Sequence, residues 1–180
     1  MAGQNILVGS ATVGVYSDPK TLEHYLAVFV DMTPINTGTG TTWTAGTTHI
    51  YAGPAGMTPL NGGGNPQIGN FPYGSGNINI GDVLGDMDAG TYDPVSIFTM
   101  NLDDIVDPAN GEYCFDILIH AEVFEIDGDP GNPKEPLTIV GSETAWADGM
   151  PLTPKTLKGG AISTSMNKGS WAMYNTLCLN

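Results

Sequence analysis

The segment Glu125-Ile-Asp127-Gly-Asp129-Pro-Gly-Asn132 sets hard oxygen donors at alternate positions along a glycine-bearing loop. Calcium takes about six to eight such ligands in flexible geometry, so Glu125, Asp127, Asp129 and Asn132 form the candidate metal set, with calcium as the candidate cofactor. The stretch is not an EF-hand, because the bidentate Glu at the twelfth loop position is missing, Pro130 interrupts and Glu135 arrives early. A solvated turn between strands is the competing reading. Two other acidic groups, Asp82, Asp86, Asp88 and Asp93, and Asp103, Asp104 and Asp107 with Asn110, read first as exposed loops. Loops from one end of a sandwich can nevertheless converge.

Asp116, His120 and Glu122 lie at intervals of two or four residues, so a strand places them on one face. Such a set suits a transition metal or an acid/base pair. A lone histidine on a strand face is more often structural, and no residue nearby in sequence completes a ligand set. His120-Ala-Glu122 also fits the first half of the zinc deaminase signature, but the Pro-Cys-x-x-Cys half is absent, which rejects that chemistry. His24 and His49 have no recognisable partners. There is no nucleophile elbow, phosphate loop or HExxH motif, and Gly62-Gly-Gly64 lacks the Lys and the helix of a phosphate cradle. A carboxylate pair for glycoside hydrolysis is a spatial arrangement, which 19 acidic residues leave open. The rings of Trp43, Phe71 and Tyr73 are the candidate ligand-binding surface, of the kind that meets a glycan. Cys114 and Cys178 form either one disulfide or two buried thiols.

These residues need elements to hold them. The composition, with 25 Gly, 13 Pro and only 13% charged residues across 180, favours many turns and few exposed helices. A chain of this length buries about two thirds of its surface and forms one domain, residues 1–180. The net charge of -14, with five Lys and no Arg, argues against nucleic acid and against an anionic membrane surface. Of the 19 acidic residues, 15 lie between Asp82 and Glu143, where Lys134 is the only base. No apolar run is long enough to span a membrane. Met-Ala-Gly-Gln-Asn lacks the features of a signal peptide, so the chain is expected to be either leaderless or a mature form with an added Met.

Strand alternation is clearest from Tyr113 to Phe124, with Tyr113, Phe115, Ile117, Ile119, Ala121 and Val123 on one side. It recurs at the end of the chain, where Trp171, Met173, Asn175, Leu177 and Leu179 oppose Ala172, Tyr174, Thr176 and Cys178. Further strands are expected at Ile6 to Tyr16, Tyr25 to Val30, Thr48 to Tyr51, Asn77 to Ile80, Val95 to Met100 and Leu137 to Val140. The segment after Asp18-Pro19 also has helical spacing at Leu22, Tyr25, Leu26 and Phe29, but its strand formers favour a strand. The Thr/Gly-rich run Thr37 to Thr48 reads as a hairpin loop, in preference to a flat threonine array, and Pro54 to Ser75 as a long loop. About eight strands without a convincing crossover helix predict an all-β, two-sheet antiparallel β-sandwich, with a barrel as second choice.

Six segments occur in order: Ala2-Gly-Gln-Asn-Ile-Leu-Val-Gly9, Thr48-His-Ile-Tyr-Ala-Gly53, Gly69-Asn-Phe-Pro-Tyr73, Ile119-His-Ala-Glu-Val123, Glu143-Thr-Ala-Trp-Ala-Asp-Gly149 and Gly169-Ser-Trp-Ala-Met-Tyr174. Their succession resembles a module of secreted and cell-surface proteins of bacteria and archaea that has no assigned activity. The resemblance implies an extracellular all-β domain, supports the strand reading of Leu22 to Asp31, and carries over no catalytic residue. The Thr/Gly run around Trp43 and the acidic stretch Asp82 to Asp107 depart from the pattern.

The expectation is therefore a non-catalytic, extracellular or cell-surface structural protein that self-assembles into a fibre or surface layer, or serves as a module of a larger assembly. Its partners would be itself, through edge or terminal strands, or other surface proteins. Asn5 to Tyr16 and Ser170 to Leu179 are the strands for such pairing, unless each completes its own sheet. A calcium-dependent carbohydrate-binding adhesin module is the alternative, and a carboxylate-pair hydrolase the second.

Overall fold

The computed structural model describes residues 6–33, 40–107, 114–129, 131–148, 150–151 and 172–179. In chain order the strands among these residues are β1 (Ser10–Ser17), β2 (His24–Asp31), β3 (Thr42–Pro54), β4 (Tyr73–Gly74), β5 (Val95–Asn101), β6 (Cys114–Asp127), β7 (Thr138–Trp146), β8 (Met150–Pro151) and β9 (Met173–Cys178), and the described residues also hold an α-helix, α1 (Ile80–Ala89). They form two antiparallel sheets, neither closed into a barrel, in a β-sandwich. One sheet runs β1-β2-β5. The other is built on β6, which pairs along one side with β3. Its other side is shared end to end, β9 taking Cys114 to Ile117 and β7 taking His120 to Asp127.

The alternation read in β6 sets the two faces. Phe115, Ile117, Ile119, Ala121 and Val123 turn inward against Leu26, Val28 and Val30 of β2, and this is the main core. Phe115, Leu26, Val28 and Val123 have no exposed surface. Opposite them, Tyr51, Phe71, Leu118, Trp146 and Ala172 form a second apolar cluster on the outer face of the β6 sheet. Trp146 ends β7 and packs in this outer cluster. Tyr113, Asn110, Pro130 and Trp171 lie outside the described residues.

The region Leu22 to Asp31 holds a strand, β2, and not the helix its spacing allowed. The Thr/Gly run differs from expectation, since the strand begins at Thr42 and not at Thr48. Threonine is β-branched and strand-compatible, and its hydroxyls here have partners: Thr44 Oγ1 donates to the Tyr92 hydroxyl at 2.7 Å, and Thr47 Oγ1 accepts from the Ile78 N–H at 3.2 Å. A bulge between Ala45 and Thr48 absorbs Gly46. The Phe124 ring lies so close to that backbone that a Cβ at position 46 would stand 2.6 Å from Phe124 Cε2.

The expected strand at Asn77 to Ile80 is instead the entry to α1. Asn79 caps the helix by accepting from the Gly81 N–H at 3.0 Å, Asp82 sits in the first turn, and Gly90 closes the helix in the left-handed conformation. Leu137 to Val140 does enter a strand, but β7 continues to Trp146. Leu177 packs toward the main core while Thr176 bonds across the other face, so the two sides read for the terminal strand are those observed.

Candidate functional site

Among the candidate metal residues, Glu125 at the end of β6 accepts from the Thr41 hydroxyl at 2.6 Å. Asp127 Oδ1 takes the Gly128 N–H at 3.0 Å, and Asn132 Oδ1 takes the Lys134 N–H at 3.1 Å. The Asp129 carbonyl accepts from the Asn132 N–H at 3.0 Å, and Asp88 of α1 reaches the Gly131 N–H at 3.0 Å. These bonds fold the segment into a turn tied to α1. Among the described residues, no three His, Cys, Asp or Glu side chains gather to hold an ion.

The rings proposed for ligand binding do not share an exposed face. Trp43 is buried in the main core and Phe71 in the outer cluster, 5.8 Å from the Tyr51 ring, while half-buried Tyr73 packs against the main core. Rings of this size on strands and beside an apolar sheet gain more from burial than from solvent, so they anchor the structure.

Cys114 and Cys178 are disulfide-bonded. Asp116, weighed with His120 and Glu122 as a metal or acid/base set against the preferred structural reading, is buried and committed elsewhere. Its Oδ2 accepts from the Gly56 N–H at 2.7 Å and its Oδ1 from the Thr176 hydroxyl at 2.6 Å, joining the long loop, β6 and β9. Glu122 is exposed. The neighbours of His120 come from other strands: His49 is directly opposite on β3 and Trp146 directly opposite on β7. The ring centres are 5.9 Å and 4.8 Å from that of His120. His120 is only 4% exposed, and its Nδ1 is buried with no hydrogen-bond partner. Burial, followed by the nearby His49, pushes the His120 imidazole down from 6.5 to about 4. Sequence spacing could not supply His49, although both histidines alternate onto one outer face once β3 and β6 are paired.

At the edge of the smaller sheet, β1 has β2 on one side and, among the described residues, no ladder partner on the other. Its sequence, Ser-Ala-Thr-Val-Gly-Val-Tyr-Ser, is uncharged, and Val15 and Tyr16 are nearly half exposed. The β9 strand, by contrast, is flanked by β6 and β8 of the same chain, so this expected donor strand completes its own sheet. Between the sheets lies a partly open cavity of about 480 Å³ whose wall includes Val13, Val30, Ala121, Val123 and Leu177. No described helix is long and apolar enough to cross a membrane. No protein-family model matches this chain, and no curated protein or solved structure is significantly similar to it.

Proposed function

We propose that the chain is a non-catalytic structural subunit of an extracellular or cell-surface assembly, joined to further copies of itself through the outer edge of β1. The observation that carries this reading is that edge, eight residues without a charge and without a described partner on its outer side. A free edge presents N–H and C=O groups at the spacing another strand needs, and monomeric proteins blunt such edges with charge, proline or bulges. β1 has none of these. The chain carries -14, so copies repel wherever carboxylates face each other, and β1 offers a contact free of them. The likeness of six ordered motifs to a surface-protein module supports the same setting. Pairing of β1 with β1 gives a closed pair, whereas pairing of β1 with β5 of the next copy extends the sheet into an open polymer.

The test is light scattering after size exclusion together with negative-stain microscopy, over a concentration series with and without calcium, on the natural chain and on Gly14→Lys. A Cβ at Gly14 meets no atom within 4 Å, so this variant charges the edge without disturbing the packing. Oligomers or filaments that revert to monomer in Gly14→Lys are the expected result. A natural chain that stays monomeric throughout overturns the proposal, and assembly lost on calcium removal would bring the Glu125 to Asn132 loop into it.

A further inference from the structure

His49, which sequence left without a partner, forms a cross-strand pair with His120 on the outer face of the β6 sheet, away from the β1 edge. His49 and His120 occupy facing positions in the β3/β6 ladder with ring centres 5.9 Å apart. Imidazole nitrogens bind Zn²⁺ at about 2.0–2.1 Å, and the ring centre lies roughly 1 Å beyond the nitrogen, so two rings on one ion have centres about 5–6 Å apart. The observed spacing is within that range without a change in strand register. Independently, His120 Nδ1 is buried and has no hydrogen-bond partner, an arrangement that costs free energy unless some group meets it. Half-buried His49 gives the pair a side open to an incoming ion and to water.

We infer that His49 and His120 bind a divalent transition-metal ion between β3 and β6, with water completing its coordination. Neutral imidazole suits Zn²⁺, Ni²⁺ and Cu²⁺ and not hard Ca²⁺ or Mg²⁺, and Cu²⁺ binds tightest in that series. The ion would clamp the two central strands of the larger sheet. Asp116 does not join the set, because both its oxygens are held by Gly56 and Thr176. His24 stands apart, with its Nδ1 2.7 Å from the Ser17 hydroxyl.

Calorimetric titration of the full chain with copper(II), nickel(II) and zinc sulfate, plus electron paramagnetic resonance of the copper form, tests this. The expected result is one equivalent bound, with nitrogen splitting from two imidazoles and no response to calcium. His49→Gln, at the half-buried position, should weaken binding by more than the roughly 10–100-fold seen on losing an outer-shell partner. His24→Gln should leave binding unchanged, and His120→Gln gives a second check on the pair. The absence of stoichiometric binding by the natural chain, or binding retained in His49→Gln, overturns the inference.

Discussion

Cys114 on β6 and Cys178 on β9 face each other in the antiparallel ladder with Cα atoms 4.0 Å apart, joined by a disulfide across 64 residues of chain. The bond fixes the last strand to the centre of the larger sheet and closes a long loop of the unfolded chain. By loop entropy this restriction contributes about 4 kcal/mol. Urea unfolding of the Cys114→Ser/Cys178→Ser variant should show a loss of that order, matched by the natural protein in reductant. Equal midpoints with and without the bond would contradict this account.

Asp116 holds the long loop and the last strand at one point through the Gly56 N–H and the Thr176 hydroxyl. Asp116→Ala should cost roughly 2–3 kcal/mol, because the Gly56 donor is left without its acceptor. Thr176→Val should cost about 1 kcal/mol, since the half-exposed side of the bond can be met by water. Thermal melts of both variants check the order of the two losses.

The His120 imidazole titrates near 4 in the folded chain because burial, and then His49, oppose its charge. Its ordinary value is 6.5, so between these values the unfolded chain takes up the proton first. The contribution from keeping His120 neutral is complete above about pH 6.5 and is lost as pH falls toward 4, up to roughly 3 kcal/mol. His49 and Trp146 face the ring from the two flanking strands, and His49 is the only titratable one of the two. Stability measured from pH 7.5 to 4 should decline in the natural protein and decline less in His120→Leu. Parallel curves would remove His120 as the cause.

Self-association through an uncharged edge in a chain of charge -14 should strengthen with salt. At about 0.01 M the Debye length is roughly 30 Å and repulsion between copies acts across the contact, whereas at 0.15 M it falls to about 8 Å. Light scattering should therefore show larger species in 0.15 M sodium chloride than in 0.01 M. The reverse dependence would point to ion pairs as the contact.

The period of two from Phe115 to Phe124 and from Met173 to Leu179 was enough to define both faces of β6 and of β9, and with the turn-rich composition it predicted the sandwich. Strand formers likewise outweighed the helical spacing of Leu22 to Phe29. These features are local: each side chain's face follows from its neighbours in the chain. The start of β3 at Thr42 was not local, because buried Thr44 and Thr47 depend on Tyr92 and Ile78. Nor was α1, a short helix whose N-cap Asn79 lies inside Asn77-Ile-Asn-Ile80, a polar/apolar alternation that reads locally as a strand.

Sequence by itself determined which residues alternate in β6 and β9, that Leu22 to Asp31 holds a strand, and that charge is concentrated away from the first strand. Tertiary structure alone decided that Trp43 and Phe71 are anchors, that Cys114 meets Cys178, that Asp116 is a clamp, and that His49 stands beside His120. Phe71 reaches its cluster from the loop before β4, and the others depend on strand register between segments far apart in the chain, which backbone hydrogen bonding and the packing of the inner face set together. Side-chain type decides what a residue can do, and register decides what it can do it with.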